Sequence, residues 1–213
     1  MKAERIGMVV QQKNLIMISY KHKCIFIHIP KAAGTSVERF LRDTDPDIPA
    51  KVLRKRGFSR FLNQHLDYYV FSFVRNPYER LVSAWKWGQL KFEKEGDLPF
   101  YNKERTVSFE EYVLLTTDFH YRKDHENLWS EYDEYHTLPQ FEFFPQLNGG
   151  HYFTDKISAD FTCDFIGRFE NLNEDFKKVC KDLNILEYQL PHAYNSKTFK
   201  ENPSWADGLK DRV

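Results

Sequence analysis

At 213 residues the chain suits one sizeable core and is too short for two, and its 41% apolar and 29% charged residues mark it as globular rather than disordered. Lysine plus arginine and aspartate plus glutamate stand at 31 each, so no net field draws in nucleic acid or an anionic membrane, and any anion site has to be local. Aromatic residues reach 16%, many of them between residues 61 and 169, where planar side chains can line a sugar or base pocket as well as a core. The three cysteines, Cys24, Cys163 and Cys180, lack metal-ligand spacing and lie in apolar stretches. They read as small buried hydrophobes, and an odd, patternless count suits a reducing compartment.

In chain order, Asn14 to Tyr20 is a short apolar piece, too short to span a bilayer and without the layout of a signal peptide. It is expected to be a strand or lead-in packed on a sheet, and the chain is expected to be cytoplasmic. Cys24 to Ile29 is a nearly unbroken apolar run, the pattern of a strand covered on both faces in a parallel sheet. Pro30 ends pairing because it has no donor. The small residues Ala32, Ala33 and Gly34 allow backbone to approach a ligand, with Gly34 free to take φ > 0. Thr35 and Ser36 open a helix striped by Val37, Phe40 and Leu41. A turn of this kind aims unpaired N–H groups and the positive end of a helix dipole at one point, beside the charge of Lys31. A plain strand-turn-helix connection with a solvated Lys31 fits the same residues, and the order of a Walker loop is absent.

A turn-rich break (Asp43 to Pro49) and a basic stretch (Lys51 to Arg60) follow; the latter reads as a solvated helix face or as a rim for an acidic substrate. Tyr68 to Val74 is the second strand. It leads into Arg75 and a helix with Asn76 at the N-cap, Pro77 at the first position and Glu79 completing a capping box. Leu81, Val82 and Trp85 give that helix its buried stripe, while Arg80 and Ser83 share the face of Asn76. Arg75 stands at the carboxyl end of its strand, where ligands bind in open α/β sheets, so Arg75 and Ser83 are expected to hold a second anion; a structural ion pair is the alternative for Arg75. Ser108 and Glu111 form another capping box, opening a helix to about Thr116. Residues 118–155, rich in aromatics and histidine (His120, His125, His136, His151) but poor in periodicity, read as a cover over the ligand-bearing edge, and the histidines match no zinc pattern. Asp164 to Phe169 reads as a third strand and Asn171 to Leu183 as an amphipathic helix. This alternation predicts a single α/β domain over 1–213, three-layered, with a mainly parallel central sheet flanked by helices and an acceptor or lid insertion at about 87–160.

The stretches Phe26 to Ser36 and Phe73 to Ser83, in this order and at this separation, resemble the two signatures of the carbohydrate sulfotransferases that use 3'-phosphoadenosine 5'-phosphosulfate (PAPS), in their Golgi-type and bacterial forms. Asp164 to Leu172 is a third matching block and His136 to Gln140 a weaker fourth, so the resemblance runs from about residue 14 to about residue 197. It implies a P-loop-like fold and a sulfuryl transfer from PAPS to a hydroxyl, usually on a saccharide, without a metal. It places Lys31, Ala33, Gly34, Thr35 and Ser36 around the 5'-phosphosulfate and Arg75 and Ser83 at the 3'-phosphate, with Lys197, in the loop Asn195 to Lys197, as a further contact. The bridging oxygen gains charge as it leaves, which Lys31 and the turn's N–H groups would stabilise. A base must take the acceptor's proton. Relatives carry a histidine well before the second motif, where this chain reads Asp47 to Ala50. His65 is the first candidate instead and His136 the second. The chain also stops soon after Trp205, short of the closing helix the resemblance implies. Two other readings stay open. One is a small-molecule or nucleoside kinase of related plan, disfavoured by the missing Walker residues and acidic Mg²⁺ pair. The other is a non-catalytic nucleotide or glycan binder.

Overall fold

The computed structural model describes residues 16–46, 64–95, 107–129, 131–144, 162–186, 188–191, 203–206 and 208–213. Four strands form one sheet in the order β1 (Ile16–Ser19), β2 (Cys24–Ile27), β3 (Tyr69–Val74), β4 (Phe165–Arg168). β1 pairs antiparallel with β2, and β2–β3 and β3–β4 are parallel. The expected strand at residues 14–20 is thus the antiparallel edge of a mostly parallel sheet flanked by helices.

The sheet is apolar on both faces because both are covered. Cys24, Phe26, Phe71 and Phe73 pack beneath α1 (Gly34–Thr44) and α6 (Leu172–Asp182), whose Val37, Phe40, Leu41, Phe176, Val179 and Cys180 complete that core. On the other face Ile25, Ile27, Ile29 and Val70 meet Tyr135, Phe143 and Phe144. A third cluster joins α2 (Pro77–Glu95) to α3 (Phe109–Thr117), with Leu81, Val82 and Ala84 against Tyr112, Val113 and Leu115. Cys24 and Cys180 lie in the core as expected, and burial pushes both thiols up to about 12. No described helix is long and apolar enough to cross a membrane.

The caps explain where the helices start. Ser108 and Glu111 exchange the expected reciprocal hydrogen bonds at α3, Ser108 N donating to Glu111 Oε2 (2.8 Å) and Glu111 N to Ser108 Oγ (3.2 Å). Asn76 Oδ1 accepts from the Tyr78 and Glu79 amides at 3.0 and 3.3 Å, so α2 begins at Pro77 as its sequence dictates. The box expected from Glu79 is completed from elsewhere. The Asn76 amide donates to Glu170 Oε1 at 2.6 Å, and Glu79 instead lies 3.9 Å from the Arg75 guanidinium. A carboxylate 94 positions away ties the start of α2 to the end of β4. Within the region read as a lid, α4 (Phe119–Asp124) and α5 (Glu131–Thr137) are short helices, and Gln140–Phe143 is a 3-10 turn.

Candidate active site

β2 and β3 are parallel neighbours in register, Ile27 opposite Ser72, and the Ser72 hydroxyl donates to the Ile27 carbonyl at 2.8 Å. Their carboxyl ends therefore release two turns side by side, one carrying Lys31 and the other Arg75. Arg75 Nη1 reaches the Lys31 carbonyl at 3.4 Å, which brings the two signature stretches together at one place.

The first turn is held by unusual backbone. Lys31 and Ala33 both take left-handed conformations, at φ 68° and 67°, a cost that non-glycine residues bear where the surroundings over-determine them. Ala33 is the N-cap of α1 and supplies no side-chain acceptor; the Ser36 amide turns back to the Ala33 carbonyl at 3.0 Å, and the amides of Gly34 and Thr35 are not capped by its side chain. Thr35 is exposed and Ser36 half-buried there. Gly34 is required for a different reason from the one its sequence gave. It is the first helical residue rather than a left-handed one, and an added Cβ would lie 2.1 Å from Cδ2 and Nε2 of His28. The imidazole fills the place of the missing side chain. His28 Nδ1 pairs with Glu38 Oε1 at 2.6 Å, and its ring stacks on Phe26 at 6.0 Å.

The second turn contributes two arginines. Arg75 lies over the Phe169 ring at 4.2 Å, and its backbone is clasped at both ends by one side-chain amide: Arg75 N donates to Gln140 Oε1 (2.8 Å) and Gln140 Nε2 donates to Arg75 O (2.7 Å). Arg80, only 5% exposed, donates through Nε to Pro30 O (2.9 Å) and through Nη1 to Leu138 O (2.8 Å), bracing the first turn against the segment after α5. Arg75 Nε and Arg80 Nη2 are buried without a hydrogen-bond partner among the described residues. Unmet guanidinium donors of this kind are rare in a finished core and fit a site completed by an anion. Burial lowers all three cations. Desolvation, with Arg75 and Arg80 nearby, takes the Lys31 ammonium down to about 7, and desolvation takes Arg80 to about 10, still cationic at neutral pH. Arg75 is lowered by burial too, against the pull of Glu79 and Glu170.

Arg80 is the residue the sequence placed on the right face without a task. Its signal was its position, one turn after the N-cap on the side that meets the sheet's ligand end. Arg80→Lys is expected to lower the melting temperature by an amount equivalent to about 1–3 kcal/mol, since one ammonium cannot serve both the Pro30 and Leu138 carbonyls; thermal unfolding checks it.

A cavity of about 340 Å³ adjoins this cluster, lined by Arg80, His136, Gln140 and the three threonines Thr116, Thr117 and Thr137 together with the apolar Pro77, Leu81, Pro139 and Val213. Each threonine hydroxyl donates to a carbonyl four residues back in its own helix. His136, buried and edge-on to Tyr135 at 5.2 Å, stands on this wall. Ser83 lies half-buried on α2 one turn beyond Glu79.

His65, the first candidate for the base, lies away from this cluster. It precedes β3, whereas Arg75 follows it, and the strand between them spans roughly 16 Å at about 3.3 Å per residue. Its ring packs against Tyr68 (4.8 Å) and Tyr20 (5.9 Å) at the amino end of the sheet. Lys197, His151 and the basic stretch Lys51 to Arg60 lie outside the described residues.

Comparison with known proteins agrees with this arrangement. Residues 14–209 match the Sulfotransferase family. The chain is similar to carbohydrate sulfotransferase 11 of Rattus norvegicus and of Mus musculus, 25% identical to each over 204 residues, covering 86% of this chain and 56% of the relative. It therefore spans about half the length of the curated relatives it matches. No solved structure gives a significant match. With both signature turns meeting at one sheet end and the match running through nearly the whole sequence, the chain belongs to the sulfotransferase family.

Proposed function

We propose that this chain moves a sulfuryl group from PAPS to a hydroxyl of a saccharide, on a three-layer, P-loop-like plan with the 87–160 region serving the acceptor. The observation that carries the reading is the convergence of Lys31, Arg75 and Arg80, with buried guanidinium donors left unmet, beside an uncapped helix start. An adenine nucleotide with phosphates at both its 3' and 5' positions supplies two separated anions to match. Ala33, Gly34, Thr35 and Ser36 would surround the 5' group with backbone N–H and hydroxyl donors, and Arg75 with Ser83 would take the 3'-phosphate. Lys197 remains a candidate contact on the same nucleotide.

In the transfer, the acceptor oxygen bonds to sulfur as the bond from sulfur to the bridging oxygen breaks. Lys31 and the turn amides meet the charge that collects on that oxygen. Arg75 contributes by fixing the nucleotide in line, using binding away from the reacting bond. The acceptor's proton needs a base, and His136 takes this role, because it shares a cavity wall with Arg80 and Gln140 whereas His65 lies at the far end of β3. A saccharide acceptor is supported by the names of the relatives.

Arg75→Ala is expected to weaken 3',5'-ADP binding about ten- to hundredfold in a calorimetric titration, the loss of one charge-assisted contact. Unchanged affinity removes Arg75 from the site. Thermal protection of the wild-type protein by ATP–Mg²⁺ but not by 3',5'-ADP would replace this reading with a kinase.

A further inference from the structure

α2 carries Arg80, Ser83 and Trp87 at intervals of three and four residues, so they share one stripe of the helix. Contacts at the two ends show where that stripe faces. Arg80 Nε bonds the Pro30 carbonyl at 2.9 Å, and Lys31 Nζ lies over the Trp87 ring, 4.4 Å from its centroid. The ammonium that the transfer step needs is thus met by an indole face.

The groups around Lys31 make this choice of neighbour consequential. Arg75, at the end of β3, and Arg80, on α2, are both positive and both disfavour a third cation. The nearby carboxylates are engaged elsewhere. Glu38 on α1 pairs with His28, Glu79 lies 3.9 Å from Arg75, and Glu170 accepts from the Asn76 amide. Lys86, next to Trp87 on α2, is buried. A carboxylate against Lys31 would neutralise it and would have to be displaced by an incoming phosphosulfate. An aromatic face attracts a cation through its quadrupole without taking its protons, so it favours the charged form and leaves the N–H donors available.

We propose that Trp87 is a positioning residue for sulfuryl transfer, its indole face holding the Lys31 ammonium beside the 31–36 turn in readiness for an anionic donor. The functional half of this statement rests on the sulfotransferase reading above; the contact does not. With the indole's shape kept but its face charge withdrawn, burial and the two arginines would push Lys31 further toward its neutral form, which can neither bind the bridging oxygen as strongly nor steer the donor.

The test places fluorinated tryptophans at position 87 alone, in a mono-, di- and trifluoro series that keeps the ring's shape while withdrawing charge from its face. Lys31 is followed by NMR of the ¹³C-dimethylated protein, its resonance assigned with Lys31→Arg, in the absence of any nucleotide. The titration midpoint is expected to fall stepwise along the series by about half to one pH unit in all. A flat series in proteins of unchanged melting temperature overturns the contact. The alkaline limb of kcat/KM for PAPS is expected to move with the midpoint. A limb that stays fixed while the midpoint moves overturns the positioning role alone, whereas a moving midpoint in a protein that transfers nothing from PAPS places the fault in the sulfotransfer reading, since the nucleotide-free titration is independent of it.

Discussion

Lys31→Ala is expected to reduce turnover by about 10²–10³-fold, the usual loss when one donor to a developing oxyanion is removed, while 3',5'-ADP affinity changes by less than tenfold. The split follows from where the ammonium acts. 3',5'-ADP has no breaking bond, so a group aimed at the bridging oxygen contributes little to holding it. A variant that binds 3',5'-ADP a hundredfold more weakly and turns over normally at saturating donor would remove Lys31 from the reacting centre. The pH dependence is a second check. Lys31 stands near 7 in the free protein and must be protonated to act, so kcat/KM is expected to fall about tenfold per pH unit above that point. Donor binding brings an anion to the ammonium and raises its pKa, so the same limb in kcat is expected at higher pH. The sign for stability is the same as for a carboxylate whose pKa is lowered on folding, displaced to alkaline pH. The unfolded lysine keeps its proton up to about 10.5 and the folded one loses it near 7, so between these values the unfolded state binds more protons. This group makes the free protein more stable as pH rises through that window, and Lys31→Met is expected to abolish that contribution.

Gly34→Ala is expected to cost the protein both stability and donor binding, and His28→Ala is expected to return the binding. The added methyl would sit 2.1 Å from the imidazole, and the ring has little room to yield: Glu38 holds Nδ1 at 2.6 Å and Phe26 stacks behind it. Overpacking of this kind costs about 1–3 kcal/mol, and the part that yields is the start of α1, whose amides are proposed to hold the donor. A fall of at least tenfold in 3',5'-ADP affinity is expected for the single variant, with recovery in the Gly34→Ala/His28→Ala pair as its cavity accepts the methyl. Equal affinity and melting temperature in Gly34→Ala and the wild type would show that the ring moves freely. Failure of the pair to recover would show that His28 has a task beyond filling space.

The legible and illegible parts of this molecule divide along a physical line. Features written in local sequence were readable: the apolar runs of β2 and β3, the Asn76–Pro77 start of α2, the Ser108–Glu111 box, and the amphipathic stripe of α6. That the two turns meet at one end of the sheet was readable because strand-turn-helix grammar places them at strand ends. What failed was whatever depends on partners far apart in the chain. Glu170 capping α2, Gln140 clasping Arg75, and His28 occupying the room above Gly34 leave no periodic trace. His65 shows the same limit: it precedes β3 by a few residues, and the strand itself carries the chain from one end of the sheet to the other.

The bonds from residues 138–140 bear on any attempt to alter acceptor choice by grafting. The Leu138 carbonyl and the Gln140 amide belong to the region expected to meet the acceptor, yet they fasten the two arginines proposed to stand at the donor site. A chimera that imports a relative's whole 87–160 region would therefore disturb donor grip along with acceptor preference. One that exchanges neighbouring segments and leaves these three residues in place would separate the two properties.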